Sequence, residues 1–307
     1  MGMPGGAPSA HNVLLSCVAE DRPGWARKVF NLVLSVRRTG GALADAPFVV
    51  NVVGSVTPSL WDSLRNLDVD VRVVEPQRLA HSSSFNKLRM LELTSDYDFD
   101  TIVMIDCDIV VLGDISDYMR PAQLGVVPAI KHRIGPEVWE RIYAALGIKI
   151  PDAQVVTAWT GERGVPYYNG GFLVVRREIC ESLRTTWLRL GAAIYQLDAE
   201  QPGFVGTRVG DQVSLACAIA ELGITVDQLP LNLNLSTRIA KIAPEYEGET
   251  GPPYVLHYHG NIDKKTGFLQ ASPIDAITEQ LDGFNRLRAE YLGVRYRRIK
   301  PPKTTQE

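Results

Sequence analysis

The chain has 307 residues, a formal net charge of −3, 45% apolar residues and 22% charged ones. A chain of this length buries a substantial core without covalent staples, and its near-neutral balance leaves no electrostatic footprint for nucleic acid. No apolar run reaches the ~20 residues of a membrane-spanning helix, so no membrane span is expected.

The opening MGMPGGAPSAHN has neither the basic start nor the apolar stretch of a secretory leader. Residues 1–11 read as a disordered N-terminus. Residues 12–19 (NVLLSCVA) form a buried-strand pattern, and 24–39 follow with Trp25, Val29, Phe30, Leu32, Val33 and Val36 at helical spacing. A second strand is expected over 47–54. Thr57 and Pro58 are a cap and a first-turn proline for a helix over 57–67. A strand over 69–75, a helix over 84–94 and a strand over 101–111 complete the first half. Strands alternating with helices predict an α/β domain with a mainly parallel sheet.

The second half is less regular. Strands are expected over 122–130 and 254–260, and helices over 136–147 (ended by Gly147), 181–197 and 211–223. Residues 167–178 read as a turn and then a strand. A closing helix over 272–293 contains Gly283, where a break is expected. The tail 294–307 is basic, then polar, and reads as disordered past Lys300. The mixed segment 131–166 is expected to shape a substrate cleft. Cys17, Cys107, Cys180 and Cys217 form no C-x-x-C pair and lie among apolar neighbours. They read as buried free thiols, which fits a reducing, cytoplasmic setting.

Two carboxylates interrupt the apolar run VMIDCDIVVL. In an extended segment, residues i and i+2 share a face. Asp106 and Asp108 would then repel in a low-dielectric core unless a cation bridges them. Ligands of open α/β sheets bind beyond the carboxyl ends of the strands, and hard oxygen ligands there suit Mg²⁺ or Mn²⁺. Two other readings stand beside this one: a strand end turning into solvent, and a haloacid-dehalogenase-like phosphohydrolase with Asp106 as nucleophile.

Three later stretches add to the pattern. Asn169-Gly170-Gly171 is either a tight turn or a close backbone approach to a ligand, with the Asn amide serving a sugar hydroxyl. Asp211 begins a helix and reads as its cap; the neighbouring Gln212 has no such explanation. His257 and His259 end an apolar strand. A neutral imidazole suits Mn²⁺, and Lys264 or Lys265 suits phosphate oxygens.

In this order, these stretches resemble the glycogenin-like glycosyltransferases (family 8), from about residue 12 to residue 265. The resemblance implies a GT-A fold (Rossmann-like, with a mixed, mainly parallel central sheet flanked by helices) in a single domain over 12–293. A nucleotide-binding half over 12–115 and an acceptor half over 116–293 would make it up. It implies a retaining, metal-dependent hexosyl transfer from a nucleotide-sugar to a hydroxyl of a saccharide or small-molecule acceptor. A UDP-sugar is favoured, with a GDP-sugar as the second choice. The implied metal ligands, for Mn²⁺ or Mg²⁺, are Asp106, Asp108 and His257. Val18, Ala19, Asp21, Lys87, Asp106, Cys107, Gly260 and Lys264 are the implied donor-binding residues. Asn169, Gly170 and Gly171 would bind sugar or acceptor, and Asp211 and Gln212 would flank the reacting centre. Where the family has a lysine three residues after the glycine, this chain has Asp263; Lys264 and Lys265 follow without Pro-Trp. A non-catalytic nucleotide-sugar-binding protein is a further alternative, and homo-oligomerisation is left open.

Overall fold

The computed structural model describes residues 12–20, 22, 24–77, 79, 82–132, 134–201, 210–239 and 252–299. The expected disorder at 1–11 and beyond Lys300 lies outside these residues. The first half follows the predicted alternation: β1 (Val13–Glu20), α1 (Trp25–Thr39), β2 (Phe48–Val53), α2 (Pro58–Leu64) and β3 (Asp70–Val74). Thr57 caps α2 by accepting from the Leu60 N–H, with Pro58 in the first turn.

Then come β4 (Thr101–Ile105), β5 (Ile109–Val111), β6 (Leu124–Pro128), α3 (Pro136–Leu146), a two-residue hairpin of β7 (Val155–Val156) and β8 (Arg163–Gly164), and β9 (Tyr168–Arg176). The chain continues through α4 (Cys180–Glu200), α5 (Gly210–Leu222), β10 (Val226–Gln228), β11 (Leu235–Ser236), β12 (Val255–His257) and α6 (Asp275–Leu292).

A seven-stranded sheet of order β10-β6-β9-β4-β1-β2-β3 forms the centre. β9 runs antiparallel to both its neighbours, and the other pairings are parallel. Both faces are covered, so the inner strands are apolar on both sides. Val103 and Ile105 of β4 join Phe172 and Val174 of β9 in a core packed under α1 and α6. The intervening Ile102, Met104, Leu173 and Val175 pack beneath α3, α4 and α5. Each such side chain contributes about 1.5–3 kcal/mol on burial.

Four local expectations are corrected. The expected strand over 101–111 is two strands in different sheets: β4 pairs with β1 and β9, whereas β5 pairs antiparallel with β12 in a three-stranded sheet. Asp106-Cys107-Asp108 is the turn between them, so period-two parity does not govern the two acids. The helix expected over 84–94 is 3₁₀ over Ser84–Ser95. Its buried residues recur every third position (Phe85, Leu88, Leu91 and Lys87, Met90, Leu93), which is the 3₁₀ period. Asn169-Gly170-Gly171 lies within β9 rather than in a turn before it. The closing helix runs unbroken through Gly283.

The end of α1 is tied to the loops beside it by one side chain. Arg37 donates from Nε to the Leu67 carbonyl, from Nη1 to Ala44 and Ala46, and from Nη2 to Asp68, at 2.5–2.9 Å. Arg37→Met keeps the aliphatic stem and strands these carbonyls. A loss of about 2–3 kcal/mol in urea unfolding is expected, the scale for charged hydrogen bonds.

Candidate functional site

Sheet order brings the site together. β1 lies between β2 and β4, so strand order reverses there, and ligands bind at the carboxyl ends of strands at such a switch point. β1 ends there with Val18, Ala19 and Glu20, and β4 leads into Asp106. β9 runs the other way, so its first residues reach the same edge; the Asp106 N–H donates to the Gly171 carbonyl at 2.9 Å. The β12–β5 pairing sets His257 opposite Ile109, beside Asp108.

Two cavities meet at these residues. One of about 360 Å³ is lined by Asn169, Asp211, Gln212, Ser236, Arg238, Lys131 and both histidines, among others. The other, about 320 Å³, is lined by Val18, Glu20, Arg22, Trp25, Lys28, Asn86 and Cys107, among others. Lys87, Asp106, Asp108 and Asp211 line both, and so form the charged partition between them.

The acids are separated by lysines. Lys87 Nζ lies 3.5 Å from Asp106 and 3.2 Å from Asp211, and donates to the Gly170 carbonyl at 3.1 Å. Burial alone would lower its pKa, but the two carboxylates outweigh that and hold it above the ordinary lysine value. Asp108 accepts from Lys28 at 3.2 Å and shares a 3.0 Å hydrogen bond with His257 Nε2. Burial pushes its carboxyl up; the His257 hydrogen bond and the charges of His257 and Lys28 prevail and hold it well below the usual range.

His259 stacks on His257 with ring centroids 3.9 Å apart, and its Nε2 meets the Ser236 hydroxyl at 2.8 Å. It has a φ of +53°, in the left-handed region that few residues other than glycine adopt. Burial, with the neighbouring His257, pulls its pKa down to about 3, which favours the neutral ring.

This donor set fits a divalent cation. Asp108, His257 and His259 each present a ligand atom, all within 4.8 Å of one another. His257 Nδ1 is buried and has no hydrogen-bond partner among the described residues. A Cβ added at Gly171 would lie 3.1 Å from both that nitrogen and Asp106 Oδ2, so the two atoms flank one point. Mixed carboxylate and imidazole ligands suit Mn²⁺.

Most of the sequence candidates converge here: Val18, Lys87, Asp106, Cys107, Asp108, Asn169, Asp211, Gln212 and His257 line the cavities. Gly170 and Gly171 contribute through their carbonyls and their lack of a side chain. Ala19 is fully buried in the core under α1 and lines neither cavity. Gly260 and Lys264 are exposed and line neither, and Asp21 lies outside the described residues.

Sequence reasoning missed Glu20, Lys28, Ser236 and Arg238, and it left His259 outside the ligand set. Glu20 was within reach, because strand parity groups it with Val18 and sets Ala19 on the other face. Glu20 holds Arg22 at 2.7 Å and accepts from Asn86 at 3.2 Å. Lys28 carried no signal, since a lysine one turn along a helix reads as solvated.

Known structures share this architecture. The galactosyltransferase LgtC, in complex with donor and acceptor sugar analogues, superposes with a TM-score of 0.52 at 17% identity, over 90% of this chain and 95% of that one. An active-site Gln-to-Glu mutant of LgtC gives 0.55 at 17% identity over the same shares. The glycosyltransferase GlyE of Streptococcus pneumoniae TIGR4 gives 0.51 at 14% identity, over 95% of this chain and 66% of that one. These likenesses define the fold as GT-A. No curated protein sequence matches the chain. Residues 30–223, more than half of the chain, match the Rhodobacterales glycosyltransferase domain, and the protein belongs to that family. It is a glycosyltransferase, which sets aside the phosphohydrolase and the non-catalytic readings.

The crowding at Gly171 gives a direct check. In Gly171→Ala the new methyl would lie 3.0 Å from His257 Cε1 and 3.1 Å from Asp106 Oδ2. Mn²⁺ affinity measured by calorimetry is expected to fall by about 10–100-fold, the usual effect of disturbing ligand orientation, with an unchanged circular dichroism spectrum.

Proposed function

We propose that the protein transfers a hexose from a nucleoside-diphosphate sugar to a hydroxyl of a saccharide or small-molecule acceptor, with retention, and that it needs a divalent cation. The observation that carries this reading is the charged partition: Asp106, Asp108 and Asp211 stand between two cavities, with His257 and His259 at one end. The nucleoside occupies the side of Val18, Glu20 and Trp25. The sugar and acceptor occupy the side of Asn169 and Gln212. A UDP-sugar is the favoured donor.

A cation held by Asp106, Asp108 and His257, with His259 in reach, would offset the charge that develops on the leaving diphosphate. Lys28 and Arg238 line the cavities and serve the same charge; Lys264 does not reach them. Lys87 fixes Asp106 and Asp211 in place. Asp211 is held from behind as well, because the buried Trp187 indole donates to its carbonyl at 2.8 Å. Asp211 and Gln212 flank the anomeric centre and shield its oxocarbenium-like charge. The acceptor hydroxyl attacks the face from which the diphosphate leaves, and the leaving phosphate takes its proton. The active-site glutamine altered in the LgtC mutant supports a reaction-centre role for Gln212.

No helix among the described residues is long and apolar enough to cross a membrane. All four cysteines are free and buried, which supports a reducing, cytoplasmic setting.

A panel of UDP- and GDP-sugars, assayed for Mn²⁺-dependent hydrolysis and transfer, tests the proposal. Release of nucleoside diphosphate from one of them is expected, with loss of about 10²-fold or more on chelation or in Asp106→Asn. Unchanged turnover in Asp106→Asn with chelator present would overturn the metal assignment. Trp187→Phe removes the hydrogen bond behind Asp211 and is expected to lower kcat by about tenfold while KM for the donor holds, since a misplaced group costs rate more than binding.

A further inference from the structure

A cleft larger than either of these cavities lies away from this site. It measures about 780 Å³ and opens between α1, α2 and α6. It shares only Glu20 and Arg22 with the nucleoside-side cavity and no residue with the other.

Its charges do not balance internally. Five charged side chains line it: Arg22, Arg27, Arg288, Glu20 and Asp62. Glu20 is paired with Arg22 at 2.7 Å, and Asp62 faces Arg65 at 3.8 Å. Arg27 and Arg288 remain, and among the described residues neither has a carboxylate partner. The two side chains are neighbours: a Cβ on Gly267 would lie 2.6 Å from Arg288 Nη2 and 3.0 Å from Arg27 Cδ.

Arg288 is only 4% exposed. Its Nε donates to Asn31 Oδ1 at 2.8 Å, and its guanidinium lies over the rings of Phe30 (5.4 Å) and Phe268 (4.8 Å). Those contacts fix its position, yet Nη1 is buried and has no hydrogen-bond partner among the described residues. Burial, with Arg27 close by, lowers its pKa to about 10. A buried, positioned guanidinium with an unused donor and a second cation near it is suited to an anion. Phe30, Leu60, Tyr291 and Leu292 give the cleft an apolar wall, and Thr57, Ser59, Ser63 and Asn66 line the rest.

We infer that this cleft is a second binding site, separate from the donor site, for a small amphipathic anion whose phosphate or carboxylate pairs with Arg27 and Arg288 and whose apolar body lies against Phe30, Leu60 and Tyr291. A fork of guanidinium donors suits either oxyanion. Cation–π contacts keep Arg288 oriented while the cleft is empty of ligand.

The test is calorimetric titration with hexyl phosphate, heptanoate and inorganic phosphate. It uses wild-type protein, Arg27→Gln and Asp106→Asn, each confirmed folded by circular dichroism. Arg27 is the side chain to change because Arg288 also joins α6 to α1. Hexyl phosphate or heptanoate is expected to bind wild type and Asp106→Asn equally, and the stronger of the two identifies the head group. Arg27→Gln should bind it at least tenfold more weakly. Saturating UDP with Mn²⁺ should not displace it, and failure of the donor site leaves this result intact. Unchanged affinity in Arg27→Gln, displacement by UDP, or no binding of either amphipathic probe would overturn the assignment. Inorganic phosphate binding as tightly as hexyl phosphate would overturn the role given to the apolar wall.

Discussion

The Lys87 ammonium lies in contact with Asp106 and Asp211 and donates to the Gly170 carbonyl, with its side chain only 10% exposed. Three carboxylates meet at this edge of the sheet, and like charges brought so close repel one another unless cations stand beside them. Lys87 answers two of them, while Lys28 and His257 answer the third. The 3₁₀ segment over Ser84–Ser95 makes this possible: its three-residue period buries Lys87 together with Met90 and Leu93, so the ammonium comes from inside the protein. A cation delivered that way stays at one place, which a surface lysine on a flexible stem does not.

The other constraint is the change of sheet at Asp106-Cys107-Asp108. The chain leaves the central sheet after Ile105 and enters the small sheet at Ile109. The two acids therefore face different partners, Asp106 towards Lys87 and β9, Asp108 towards Lys28 and His257. The reversed direction of β9 then matters, because a parallel strand would have sent Asn169 to the opposite edge. One turn and one antiparallel strand thus account for most of the site.

The two arginine-bearing regions differ in kind. At the charged partition every described acid has a cationic neighbour, and Asp108, His257 and His259 still present a set of ligand atoms that fits a cation. Between α1, α2 and α6, among the described residues, the guanidiniums of Arg27 and Arg288 have no carboxylate partner, which is why the proposed ligand there is an anion. Arg22 and Glu20 line both that cleft and the cavity beside Val18 and Trp25.

Much of the fold was legible in the sequence. Apolar period and cap chemistry located β1, α1, β2, α2 with its Thr57 cap, and α3 with Gly147 at its end, because these signals act within one turn or one strand. Which residues would line the candidate site was legible too, since Asp106, Asp108, Asn169, Asp211, Gln212 and His257 each interrupt an apolar segment at its tip and all line its cavities. Three things were decided only by tertiary structure. Whether Asp106 and Asp108 share a face depended on which sheet each flanking strand joined, and pairing partners are not encoded in local period. The parts played by Lys28 and His259 depended on what α1 and β12 pack against. The unanswered charge on Arg27 and Arg288 arose only when helices far apart in sequence closed on one another. Local chemistry settles what a residue can offer; only the three-dimensional packing of distant segments settles to what it is offered.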